Sequence, residues 1–171
     1  MELIHWLYSF GLNTCNFGDR FRLGINPFTG EEVRFPIDDG LSGHQIRSVK
    51  SVFALHGIRG PEPECEGYAF YGVDGESVRF RGSDFEKDSV VSMAVEITVK
   101  KLVDEIVSIV FDVAKAGGFA LSSDAGDSVR ILDRELDATI LARWPDAQLI
   151  RSVRELRIWI EQVIGAQQGL W

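Results

Sequence analysis

"SVVSMAVEITVKKLVDEIVSIVFDVAKAGG", residues 89–118, changes its hydrophobic period part-way along. Over 89–99, Val91, Met93, Val95, Ile97 and Val99 alternate with Ser92, Glu96 and Thr98. A repeat of two is that of a long strand with one buried and one wet face. From Leu102 the spacing lengthens. Leu102, Ile106, Ile109, Val110 and Val113 recur at helical intervals opposite Asp104, Glu105, Ser108 and Asp112, the stripe of an amphipathic helix over 101–116. The two apolar sets are expected to pack on each other, with Ile106 against Val95 and Ile97.

Hairpin signals lie on both sides of this segment. In residues 21–37, Phe21 to Ile25 and Glu32 to Ile37 alternate apolar with charged residues around "NPFTGE", whose Pro27 and Gly30 suit a turn. Within 67–81, "DG" at 74 and 75 separates two short apolar runs, a strong hairpin signature. Residues 119–132 read as a third hairpin around "SDAGDS". Ser42 followed by Gln45 makes a capping box for a helix over 42–56 that ends at Gly57. Leu149, Val153, Leu156, Ile160 and Val163 give a helix over 147–164 that closes at Gly165. A shorter stripe, Leu132, Leu136, Ile140 and Trp144, ends at Pro145. Hairpins with few, separate helices predict an α+β single domain spanning 1–171, with a mainly antiparallel sheet of about five to seven strands.

Composition is that of an ordinary soluble protein: 171 residues, 45% hydrophobic and 26% charged. Cys15 and Cys65 lie in no metal-ligand spacing and carry no disulfide framework. The opening "MELIHWLYSFGLN" has neither a basic leader nor a small-residue cleavage site and is expected to belong to the fold. Charged residues at 100, 101, 104 and 105 interrupt the longest apolar region, below the roughly 20 residues that a membrane span needs. A cytoplasmic protein without membrane contact is expected.

Net charge is −8, and residues 61–112 hold 12 acids against five bases. Such a field disfavours nucleic acid and favours a basic protein partner. Glu62, Glu64 and Glu66 in "RGPEPECEG", and Asp84, Glu86 and Asp88 in "SDFEKDS", are the candidate binding residues.

"KAGGFALSSDAGDS", residues 115–128, is the stretch closest to a ligand loop. Its glycines follow a helix and precede a strand, the reverse of a phosphate cradle, and Asp124 and Asp127 lack the further ligands of a calcium loop. A helix stop and a turn account for them. His5, His44 and His56 fall in no metal motif, and no nucleophile elbow is present. No cofactor or metal is expected. The rival to a binding role is a small enzyme or ligand binder with a pocket at the helix–sheet boundary. His44, Cys65, Asp124 and Asp127 are its candidate residues, with Arg151, Arg154 and Arg157 as an anion-recognising helix face. In size, acidity and absence of a catalytic motif the chain is similar in kind to immunity proteins of bacterial toxin systems, a similarity that rests on no motif. The leading expectation is a non-catalytic module, of inhibitor or immunity type, that engages a basic partner through its acidic middle.

Overall fold

The computed structural model describes residues 4–64, 66–82, 85, 92–124, 128–132 and 135–169. Its organising element is a strand to which the sequence pattern assigned no secondary structure, β1 (His5–Asn13). Eight residues of β1, Trp6 to Asn13, pair antiparallel with β7 (Ser92–Val99). Its other edge is shared: residues 11–13 pair with β8 (Ala120–Ser122), and residues 5–7 with β11 (Gln167–Gly169).

The remaining strands are β2 (Phe17–Ile25), β3 (Glu32–Asp38), β4 (Arg59–Glu62), β5 (Gly67–Tyr71), β6 (Ser77–Arg81), β9 (Val129–Leu132) and β10 (Gln148–Ile150). Among the described residues, the large sheet has nine strands in the order β10-β9-β8-β1-β7-β6-β5-β4, with β11 beside β1. That exceeds the five to seven expected, because β1, β4, β10 and β11 join the hairpins. All pairings are antiparallel except β9–β10. Strands β2 and β3 form a separate two-stranded sheet and do not extend the large one.

Among the described residues four helices accompany the sheet: α1 (Gly43–His56), α2 (Asp104–Gly117), α3 (Ala138–Arg143) and α4 (Val153–Trp159), the last continued by a π-helical turn over Ile160–Ile164. The period change at 99–104 is realised. Leu102, Ile106, Ile109 and Val113 are buried in one cluster with Val95 and Ile97. Tyr8, Phe10 and Leu12 share that face, and the Phe10 ring meets Trp159 edge-on at 5.5 Å. At the β8–β9–β10 end the opposite face carries a second cluster, which includes Cys15, Ala120, Ile131 and Ile140 of α3.

Local chemistry explains several boundaries. The capping box of α1 forms as expected: Ser42 Oγ accepts from the Gln45 N–H at 3.2 Å, and Gln45 Oε1 accepts from the Ser42 N–H at 2.9 Å. Gly57 closes α1 with a left-handed φ of 66°. Asp74 and Gly75 both have positive φ, with the Glu76 N–H donating to Val73 O, the conformation that a tight two-residue hairpin turn demands. At the end of α2 only Gly118 is left-handed. Gly117 is required for a different reason, since a Cβ there would lie 2.3 Å from the Phe119 ring.

The helix expected over 147–164 begins later. Residues 148–150 are drawn into the sheet as β10, and Ser152 caps α4 by accepting from the Glu155 N–H at 3.1 Å. The π-helical turn then advances the stripe by one position, so Ile164 packs on the core while Val163 is exposed. The stripe expected from Leu132 to Trp144 shortens to α3, because Leu132 belongs to β9. The expected strand 89–99 is observed from Ser92; residues 89–91 lie outside the described residues.

Phe10 is 1% exposed at the middle of the sheet. Phe10→Ala is therefore expected to cost about 3–5 kcal/mol of folding stability, measured by chemical denaturation. A loss below about 1 kcal/mol would show that β1 is not central to the core.

Candidate functional site

Four of the 12 acids of the middle stretch are paired with a basic side chain. Asp74 Oδ2 accepts from Lys100 Nζ at 2.7 Å, Glu96 Oε1 from Arg81 Nη1 at 2.8 Å, and Asp104 Oδ1 from Arg157 Nη1 at 3.0 Å. Asp112 Oδ2 lies 2.7 Å from His56 Nε2, joining α1 to α2. The candidate residues Glu62, Glu64 and Glu66 remain together around the β4–β5 connection at the sheet edge. Glu62 accepts from the Tyr71 hydroxyl at 2.7 Å, while Glu64 and Glu66 are exposed. Asp84, Glu86, Asp88, Cys65 and Asp127 lie outside the described residues.

The other sequence candidates are dispersed. His44 is exposed in the first turn of α1, and Asp124 is exposed just after β8. Arg151 and Arg154 are exposed at the start of α4, whereas Arg157 is paired. Arg157 is held by Asp104 and by Glu161, Nε to Oε1 3.2 Å, and these hydrogen bonds push its guanidinium pKa up. Among the described residues no three His, Cys, Asp or Glu side chains are grouped to hold a metal ion. No helix there is long and apolar enough to cross a membrane.

What sequence reasoning missed is the exposure of the β2–β3 hairpin. Its register places Phe21, Leu23 and Ile25 on one face with Arg34, and Arg22, Gly24, Val33 and Phe35 on the other. Phe21, Leu23, Ile25 and Phe35 are all exposed, and Phe28 at the turn is 95% exposed. The alternation expected of a strand is present, yet no described residue covers the face of Phe21, Leu23 and Ile25. An isolated two-stranded ribbon is marginal in water, and this one is pinned at its base. The Asp39 N–H donates to Asn16 O at 2.9 Å, Asn16 Nδ2 donates to Gly40 O at 2.6 Å, and Arg20 pairs with Asp39. Along its length, Arg34 sits 4.4 Å over the Phe21 ring and Arg22 5.7 Å over the Phe35 ring.

Where this arm leaves the sheet there is a cleft of about 320 Å³. The arm supplies Phe17, Arg22, Phe35, Pro36 and Asp38; the end of α3 supplies Arg143 and Trp144; Asn13 and Thr14 come from the end of β1. Phe17 and Trp144 meet with ring centroids 6.0 Å apart, and Arg143 lies 5.7 Å over Trp144. A second, shallower cleft of about 290 Å³ beside α1 is lined by Phe53, Pro61 and Tyr68 among others. His44 lines neither. Against known proteins, the chain matches no family model, no curated protein and no solved structure.

Hydrogen bonding to Lys100, aided by its charge, holds the Asp74 carboxyl below its ordinary pKa. A depressed folded-state value means that the pair stabilises above the unfolded carboxyl pKa and is lost as pH falls through the folded one. Lys100→Met is expected to move the Asp74 titration, followed by NMR, upward toward ordinary aspartate. An unmoved titration would show that the pair does not form.

Proposed function

We propose that this chain is a non-catalytic binding protein that docks a basic protein partner, with the β2–β3 arm as its apolar contact element. The observation that carries the reading is the exposure of Phe21, Leu23, Ile25 and Phe28 on a ribbon that stands apart from the large sheet. Clustered exposed apolar side chains mark interaction surfaces. An aromatic-rich ribbon with open edges suits a partner that covers its face or adds a strand to it.

Charge argues for the kind of partner. At −8, a second copy of the chain is repelled and a basic surface attracted. Glu62, Glu64 and Glu66 contribute to that field from the sheet edge, where exposed charges act on the rate of encounter more than on dissociation. An inhibitor or immunity-type role is one form such docking takes. The alternative pocket built on His44 gains no support from its exposed position away from both clefts.

The test uses three immobilised proteins in extracts of the native host: wild type, a Phe21→Ser/Leu23→Ser/Ile25→Ser/Phe28→Ser variant, and a Glu62→Gln/Glu64→Gln/Glu66→Gln variant. Wild type is expected to retain a protein of high isoelectric point that the serine variant loses. The amide variant is expected to bind it more slowly at low salt with little change in dissociation. Equal retention by the serine variant would count against the arm. Light scattering that finds a wild-type dimer dissolved by the serine substitutions would replace the basic partner with a second copy.

A further inference from the structure

The geometry points to a second, smaller site: we propose that the cleft between the arm and α3 binds a planar aromatic anion, a ring carrying a carboxylate or a phosphate. The site goes beyond the docking role, since Phe21, Leu23, Ile25 and Phe28 do not line it.

The volume of about 320 Å³ lies at the lower end of the roughly 300–1,000 Å³ range of small-molecule sites. Phe17, Phe35 and Trp144 contribute rings to its lining, apolar surface that suits an aromatic group. Two guanidinium groups share the cleft, Arg22 from the arm and Arg143 from the end of α3.

These two arginines, like Arg34 over the Phe21 ring, face a ring and not a carboxylate. Arg20, Arg81 and Arg157 are held by carboxylates, and Arg130 donates to Ser128 and Val129. Arg22 and Arg143 each pack over a ring, Phe35 and Trp144, at 5.7 Å. Among the described residues neither has a carboxylate or hydrogen-bond partner. A guanidinium set over a ring keeps N–H groups that can reach a ligand, and that fork matches the two oxygens of a carboxylate or phosphate.

Local charge agrees. The one acid lining the cleft is Asp38, whose Oδ1 already accepts from the Gly40 N–H at 2.8 Å. Two cations against one carboxylate leave a net positive cleft on a strongly acidic protein, which selects an anion over a cation of the same shape.

The experiment titrates the full chain with 1-naphthyl phosphate, 1-naphthoate and neutral 1-naphthalenemethanol, read by calorimetry and by the indole N–H resonances. At least one anion is expected to bind at least about tenfold more tightly than the alcohol, as charge-assisted hydrogen bonds require. Whichever anion binds more tightly identifies phosphate or carboxylate as the preferred group. The Trp144 resonance should shift while that of Trp159, buried in the main core, does not. Arg143→Gln, and separately Arg22→Gln, should each weaken the anion about tenfold or more and leave the alcohol unchanged. If a glutamine variant fails to fold by circular dichroism, the wild-type comparison of anions with alcohol decides alone. The proposal is overturned if both anions bind no better than the alcohol, if their binding leaves Trp144 unperturbed, or if it persists in folded glutamine variants. None of these results bears on partner capture by the arm, so the two readings fail separately.

Discussion

The structure depends on the pairing of β1 along both edges. Trp6 to Asn13 run against β7, while the opposite edge is divided between β8 and β11. A central strand paired over eight residues on one edge and at both ends of the other fixes which face each side chain takes, because a slip of one residue would exchange the faces. The register puts Phe10 opposite Val95 and Tyr8 opposite Ile97. The buried face of β1 thus continues the apolar face of β7 beneath α2 and α4. Dispersion and hydrophobic burial over that shared face hold the two helices to the sheet.

The same constraint positions the arm. The chain leaves β1 at Asn13, turns through Thr14, Cys15 and Asn16, and is already outside the large sheet at Phe17. Its return is fixed by polar contacts: Asn16 meets Gly40, and Gln45 Nε2 donates to Gly117 O at 3.1 Å. One glutamine therefore caps α1 and ties its start to the end of α2. With its base anchored, the ribbon can carry Phe21, Leu23 and Ile25 in water without the main core depending on them. The cleft arises where the inner side of that ribbon faces the end of α3.

Legibility in the sequence followed the range of the interactions. Features closed within a few residues were readable: the capping box at Ser42 and Gln45, the turn at Asp74–Gly75, and the period change after Val99. Features set by distant partners were not. "HWLYSFGLN" does carry a strand's alternation, Trp6, Tyr8, Phe10 and Leu12 against His5, Ser9, Gly11 and Asn13, so β1 itself was legible there; what the period could not give was its partners on both edges. Strands β10 and β11 have three residues each, too few for a period, and exist because β9 and β1 offer free edges. The alternation of Phe21, Leu23 and Ile25 correctly indicated a strand but could not report that these side chains are exposed. Arg22 and Arg143 reach one cleft from opposite parts of the chain, with no motif between them.

The central claim is a sheet organised by β1 from which a ribbon stands free, and native-state hydrogen exchange tests it most directly. Amides at Tyr8, Phe10 and Leu12 are expected to exchange only through global unfolding. Those of Arg22 to Ile25 and of Arg34 should exchange through local opening, orders of magnitude faster. Arm amides protected to the same degree as those of β1 would contradict the account and make the ribbon part of the cooperative core.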